Sequence, residues 1–330
     1  MSMCSGLRKY SFFALVLVAC GAEPKAPTAQ PKEPPPRPLF ELHSNPWVNL
    51  HQRLIAEATA NKYWHAVADT CTCARQSDGT ILPEWQAAVT GYKAALEKRS
   101  PVFDSDLIKS NLTFALNGNN PALPKGGVDP ALAKLIEPVF ETYVRRSFPL
   151  DDERNRAWIA SVQPLLAKYG ADMATEIAMR FETHWPTAPI RVEVTEWAGF
   201  GGAYTVTDPI LTTMSSADRG YQPPSVLEML FHEALHGMDA ILTHDLQMAF
   251  IKIGKREPRS LDHALIFYTA GALAKKRLGP DYVPYAYREG VWDRGWTRLE
   301  AAVRTHWQPW LDDQIDLPTA LARLANASYD

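Results

Sequence analysis

Residues 225–241 carry the pattern that leaves this chain least freedom. Leu227, Leu230, Phe231, Ala234, Met238 and Ile241 recur at helical spacing and supply one apolar face. Tyr221-Gln222-Pro223-Pro224 cannot begin a regular element, and Ser225-Val226-Leu227-Glu228 then reads as a capping box. In such a box the Ser225 hydroxyl takes the backbone N–H of Glu228, and the Glu228 carboxylate returns to the N–H of Ser225. A helix beginning at residue 225 and continuing through 241 is expected. His232 and His236 stand beside its apolar stripe. Residues four apart on a helix lie one above the other. The two imidazoles could therefore close on one metal ion, with Glu233 beside them to hold a water. The competing reading is two core histidines satisfied by hydrogen bonds.

Phe231-His232-Glu233-Ala234-Leu235-His236-Gly237 resembles the HExxH motif of the zincin metallopeptidases. The segment before it fits that resemblance. Ile190, Val192 and Val194 alternate with Arg191, Glu193 and Thr195, which predicts a half-buried strand. Residues 203–207 and 210–214 read as two more strands around Asp208-Pro209. In zincins a sheet with an exposed edge strand lies above the active helix, and an extended peptide can pair with that edge.

A catalytic zinc takes three protein ligands and leaves a fourth position open. The metzincin extension fails, because Asp239 replaces its Gly and Leu242 its third His; Leu242 also excludes the Asp of aspzincins. What remains resembles the gluzincin layout, whose third ligand comes from a second helix. Pro258-Arg259-Ser260 starts such a helix, Leu261, Leu265, Tyr268, Ala272 and Leu273 give its core face, and Arg277-Leu278-Gly279-Pro280 ends it. Gluzincins use Glu here, and residues 260–278 contain none. His263 is the chosen third ligand, since neutral imidazole suits zinc and a helix N-terminus disfavours the protonated form. Asp262 is the alternative ligand, or a group that orients a ligating imidazole; Asp239, Asp245, Glu289 and Glu300 are the remaining metal-capable types. The resemblance implies that His232, His236 and His263 hold Zn²⁺ while Glu233 serves as general base. Tyr285, Tyr287 and Arg288 are candidates for stabilising the oxyanion, with Tyr287 preferred for its side-chain type.

The N-terminus reads as an export signal. Arg8 and Lys9 form a basic start, and Phe12-Phe13-Ala14-Leu15-Val16-Leu17-Val18 is an apolar core too short to span a bilayer as a helix. Leu17-Val18-Ala19-Cys20 resembles the lipobox of bacterial lipoproteins, which implies that residues 1–19 are removed and that Cys20 carries acyl chains. Gly21 stands where Asp would resemble an inner-membrane retention signal, so the resemblance points to the outer membrane of the cell envelope. Residues 20–39 hold seven prolines, from Pro24 to Pro38, with almost nothing apolar between them. Such a stretch cannot offset its ordering entropy and reads as an extended tether.

Residues 40–330 read as one catalytic domain, helical over 40–188 and zincin-like over 189–330. Hydrophobic content of 46% and charge of 22% suit a sizeable core. Loss of Arg8 and Lys9 with the signal moves the net charge from −3 to −5, and no basic run exceeds Lys275-Lys276-Arg277. Nothing points to nucleic acid, and the membrane contact expected is the lipid. Thr70-Cys71-Thr72-Cys73 could form a strained disulfide, remain as two thiols or, with His65, offer soft metal ligands. Two apolar stripes fall in residues 46–100, and further helices are expected over 129–146, 151–169 and 171–184. The fold class expected is α+β, predominantly α. Two functions compete: a lipid-anchored zinc metallopeptidase acting on a peptide or protein, and a non-catalytic envelope lipoprotein with a structural or vestigial metal site.

Overall fold

Four short strands form a mixed sheet in the order β1-β2-β4-β3. They are β1 (Phe40–His43), β2 (Ile190–Thr195), β3 (Ala203–Thr207) and β4 (Ile210–Ser215). A computed structural model describes residues 37–59, 74–97, 130–199, 201–207 and 210–329. The readings placed on the signal, Cys20, most of the proline-rich stretch, His65, Cys71 and Cys73 lie outside the described residues.

β1 pairs parallel with β2, β2 parallel with β4, and β3 antiparallel with β4. A parallel neighbour cannot be reached by a tight turn and needs a crossover. Here the crossover from β1 to β2 is the whole helical half of the chain. The sheet thus has four strands where the sequence suggested three, and the helical part lies between two of them rather than ahead of them. β1 escaped notice because four residues are too few to display a period of two. Predominantly helical α+β architecture stands as expected.

The crossover contains α1 (Pro46–Thr59), α2 (Pro83–Leu96), α3 (Pro130–Arg146), α4 (Phe148–Leu165) and α5 (Ala171–Arg180). Asn45 fixes the start of α1: its Oδ1 accepts from the N–H groups of Trp47 and Val48 at 2.8 and 3.3 Å, and Pro46 takes the first helical position. α4 passes into α5 through one π-helical turn, Leu166–Gly170, so two expected helices run on without a loop. Trp47, Leu50, Leu54, Trp85, Tyr92, Ile136 and Tyr143 bury one cluster among α1, α2 and α3.

The larger cluster lies under the other elements. α6 (Ser225–Leu235) is buried at every position, which is how a helix at the centre of a layer must read. Phe40, Ile190, Val192, Val194 and Met214 from the sheet share its core with Leu227, Leu230 and Phe231 of α6. Strand alternation puts those sheet residues, together with Ala203, Thr205 and Thr212, on one face. α7 (Ala240–Lys252), α8 (Leu261–Leu278), α9 (Tyr285–Arg288), α10 (Thr297–His306), α11 (Gln308–Leu311) and α12 (Leu317–Asn326) complete the described chain. α8 ends at Gly279, whose φ of 107° suits a residue without Cβ, and Pro280 follows. Among the described residues no helix is long and apolar enough to cross a membrane.

Two local expectations fail at α6. Ser225 does not cap the helix; it is the first helical residue, and Pro224 stands at the N-cap without a side-chain bond. The Glu228 carboxylate is engaged elsewhere, by the Tyr282 hydroxyl at 2.6 Å and the Tyr285 N–H at 2.9 Å. The helix also ends at Leu235 rather than running on to residue 241, and Ile241 is 42% exposed at the start of α7. Just beyond the helix end a Cβ on Gly237 would run into the side chain of Ile210 on β4, so that position is held by the residue without one. The chain passes too close beneath the sheet to carry a side chain at that point.

Candidate metal centre

α6 delivers His232 from its last full turn and His236 from its C-cap, while His263 comes from the first turn of α8, the helix packed beside it. The three rings converge. His232 Nε2 lies 3.3 Å from His236 Nε2 and 3.4 Å from His263 Nε2. Zinc–nitrogen bonds of about 2.0–2.1 Å at tetrahedral angles place ligand nitrogens about 3.3–3.4 Å apart, so these spacings fit a shared zinc ion. Among the described residues, these three form the one group of three or more metal-ligating side chains with ligand atoms within 4.8 Å of one another. Asp262, Asp239, Asp245, Glu289 and Glu300 do not join it.

Burial keeps the imidazoles in their ligating form. Desolvation lowers His236 to about 4 and His263 to about 3; it also drives His232 well below its ordinary range, with the other two rings adding to the effect. Neutral imidazole is what a metal needs. The Asp262 carboxylate is close enough to His236 to oppose part of that lowering. Phe267, one turn beyond His263 on α8, walls the group: its ring centroid is 3.9 Å from that of His232 and 4.9 Å from that of His263. Among the described residues His232 Nδ1 is buried without a hydrogen-bond partner, and the Phe267 ring packs against that imidazole.

Glu233 points about 100° round the helix from His232. Its side chain meets β3, where Thr205 Oγ1 donates to Glu233 Oε2 at 2.7 Å. Thr205 Oγ1 is in turn 2.9 Å from Thr212 Oγ1 on β4. Burial raises the Glu233 carboxyl from 4.5 to about 7, with the Thr205 bond opposing the rise. A carboxyl titrating near 7 is suited to accept and return a proton.

The oxyanion candidates separate in space. Tyr287 is 42% exposed, its hydroxyl donates to Glu300 at 2.7 Å and its ring packs on Trp292. It is not brought to the histidines. Arg288 is tied to Ser225, to the Gly220 carbonyl and to Glu289, and thereby fastens α9 to the start of α6. Tyr285 stacks parallel to Phe267 at 6.2 Å and touches Tyr221, so it is the candidate nearest the ring that walls the histidines. Glu228 holds it there through the Tyr285 N–H, and Gly271 leaves the room: a Cβ would fall 2.8 Å from Pro284 and 3.1 Å from Glu228 Oε1.

Sequence reading missed Thr205, Glu228 and Phe267. The strand expected over residues 203–207 holds Thr205, but nothing in one dimension aimed that side chain at Glu233. Phe267 follows His263 by one helical turn, a spacing that was available. No known protein family, curated protein or solved structure matches the chain.

Proposed function

We propose that the chain is a zinc-dependent peptidase that hydrolyses peptide bonds of an extended substrate, with residues arranged as the zincin resemblance implies. The observation that carries the reading is the convergence of three neutral imidazoles, with His232 Nε2 3.3 and 3.4 Å from the other two Nε2 atoms, beside a buried carboxyl that is not one of them. A purely structural zinc site closes its fourth position with another ligand, whereas three ligands and an adjacent base suit catalysis.

His232, His236 and His263 would hold the ion. A zinc bound there supplies a Lewis acid that acidifies water and polarises the scissile carbonyl. Glu233 accepts the proton of the attacking water and returns it to the leaving nitrogen. β3 closes the sheet on one side and has no strand neighbour beyond it among the described residues. Its outward backbone groups can pair with an extended peptide. Of the three oxyanion candidates, Tyr285 is the one whose ring stacks on Phe267 beside the histidines. We also propose export and lipid anchoring through Cys20, which would hold the enzyme at the outer membrane.

Elemental analysis of the purified protein should find about one zinc per chain, as a three-ligand site retains. Glu233→Gln should keep that zinc and lose about 10²–10⁴ in peptide hydrolysis, since the amide cannot take the water's proton. A zinc-loaded wild type that cleaves nothing in a diverse peptide library, and matches Glu233→Gln in every assay, would replace this reading with a partner-binding lipoprotein. Mass spectrometry of membrane-extracted protein tests the anchor separately, by acyl mass on an N-terminal Cys20.

A further inference from the structure

We infer that Thr205, on the outer strand of the sheet, is a positioning residue that fixes the Glu233 carboxyl group in one place. The kinetic consequence rests on the peptidase reading above, whereas the contact itself stands independently of it. Glu233 is buried in the last turn of α6, and the Thr205 hydroxyl, at 2.7 Å, is the hydrogen-bond partner its carboxylate has among the described residues. A glutamate side chain has three rotatable bonds, and a single well-placed bond at its end decides which rotamer it keeps.

A second threonine backs that bond. Thr205 Oγ1 carries one hydrogen and gives it to Glu233 Oε2, so the contact at 2.9 Å must be donated by the buried Thr212 hydroxyl. The two hydroxyls thus run as a chain from β4 through β3 to the carboxylate and tie its position to the sheet.

The location adds a connection to substrate. Thr205 is the central residue of β3 and lies opposite Thr212 in the β3–β4 register. A peptide pairing with β3, which has no strand neighbour beyond it among the described residues, would steady the strand that steadies the base. Residues that recognise substrate backbone and the residue that positions the base would thus share one element.

Thr205→Val keeps the side chain's shape and strand preference and removes only the hydroxyl, while Thr205→Ser keeps the hydroxyl. Zinc-loaded crystal structures of both variants are the first measurement. The expected result is a Glu233 carboxylate displaced or split between conformers in Thr205→Val and unmoved in Thr205→Ser; an unmoved carboxylate in Thr205→Val overturns the inference. Steady-state kinetics on a peptide cleaved by the wild type is the second. Thr205→Val should lower kcat about 10- to 100-fold, the effect of losing a hydrogen bond to a charged group, with KM and zinc content changed by less than about twofold. Thr205→Ser should recover most of kcat. Equal losses in Val and Ser variants, or a loss confined to KM, would mark Thr205 as structural only. If the wild type proves inactive while Glu233 still shifts in Thr205→Val, the peptidase reading fails and the positioning contact survives.

Discussion

Replacing Glu233 by Gln should make the metal-free protein more resistant to unfolding at alkaline pH while removing its proposed activity. Burial raises the Glu233 carboxyl from 4.5 to about 7, against the opposing hydrogen bond from Thr205. The native state therefore binds a proton more tightly than the unfolded chain does. Where the native state holds more protons, stability falls as pH rises, so this group's contribution is lost between about 4.5 and 7 and stays lost above. Each tenfold difference in proton affinity between the two states corresponds to about 1.4 kcal/mol. Raising pH from about 5 to about 8 should thus cost the wild type about 2–3 kcal/mol through Glu233 and cost the Gln variant nothing there. The fit of the amide itself is the same at both pH values and cancels, as do Glu193 and Glu228, which burial raises to about 7 in both proteins. Urea unfolding after chelation, at the two pH values, measures the difference. Parallel pH profiles for wild type and variant would refute the reasoning, because burial would then carry no penalty for the ionised carboxyl. Restoring zinc should shrink the difference, since a nearby cation favours the ionised form.

Three further outcomes follow from the same geometry. His263→Ala should lose zinc on dialysis whereas Asp262→Asn retains it; the reverse result would move the third ligand to Asp262. With His236 held at about 4 and His263 at about 3, protons should not displace zinc until well below pH 6, so dialysis at about pH 5 should leave the metal in place. Release already at about pH 6.5, the range of exposed imidazole, would count against the buried cluster. Gly271→Ala should destabilise by about 1–3 kcal/mol, seen in thermal melts, because the added methyl meets Pro284 at 2.8 Å and the Glu228 carboxylate at 3.1 Å. A variant as stable as wild type would show that the contact between α8 and the segment before α9 yields freely.

Local pattern settled the parts of this protein whose causes are local. The helical spacing of Leu227, Leu230, Phe231 and Ala234 specified α6, and the alternation of Ile190, Val192 and Val194 specified β2. His232 and His236 were fixed as a pair by the helix repeat alone, and Gly279-Pro280 marked the end of α8. His263 could be singled out because few side chains in the first turn of α8 can bind a metal. What stayed hidden depends on neighbours distant in sequence. β1 exists because Phe40–His43 finds β2 almost 150 residues later, and that pairing turns the helical half into a crossover. Position 237 passes so close to Ile210 that a Cβ would collide with it, a contact no helical wheel contains. Glu228 was expected to serve its own helix terminus and instead binds Tyr282 and Tyr285, since a buried carboxylate needs donors and those were the ones within reach. Tyr287 and Tyr285 are two residues apart on one turn of α9, yet one faces Glu300 and the other Phe267. Sequence can name side-chain chemistry and its period along one element; which groups meet is decided by packing between elements, where distance in space replaces distance along the chain.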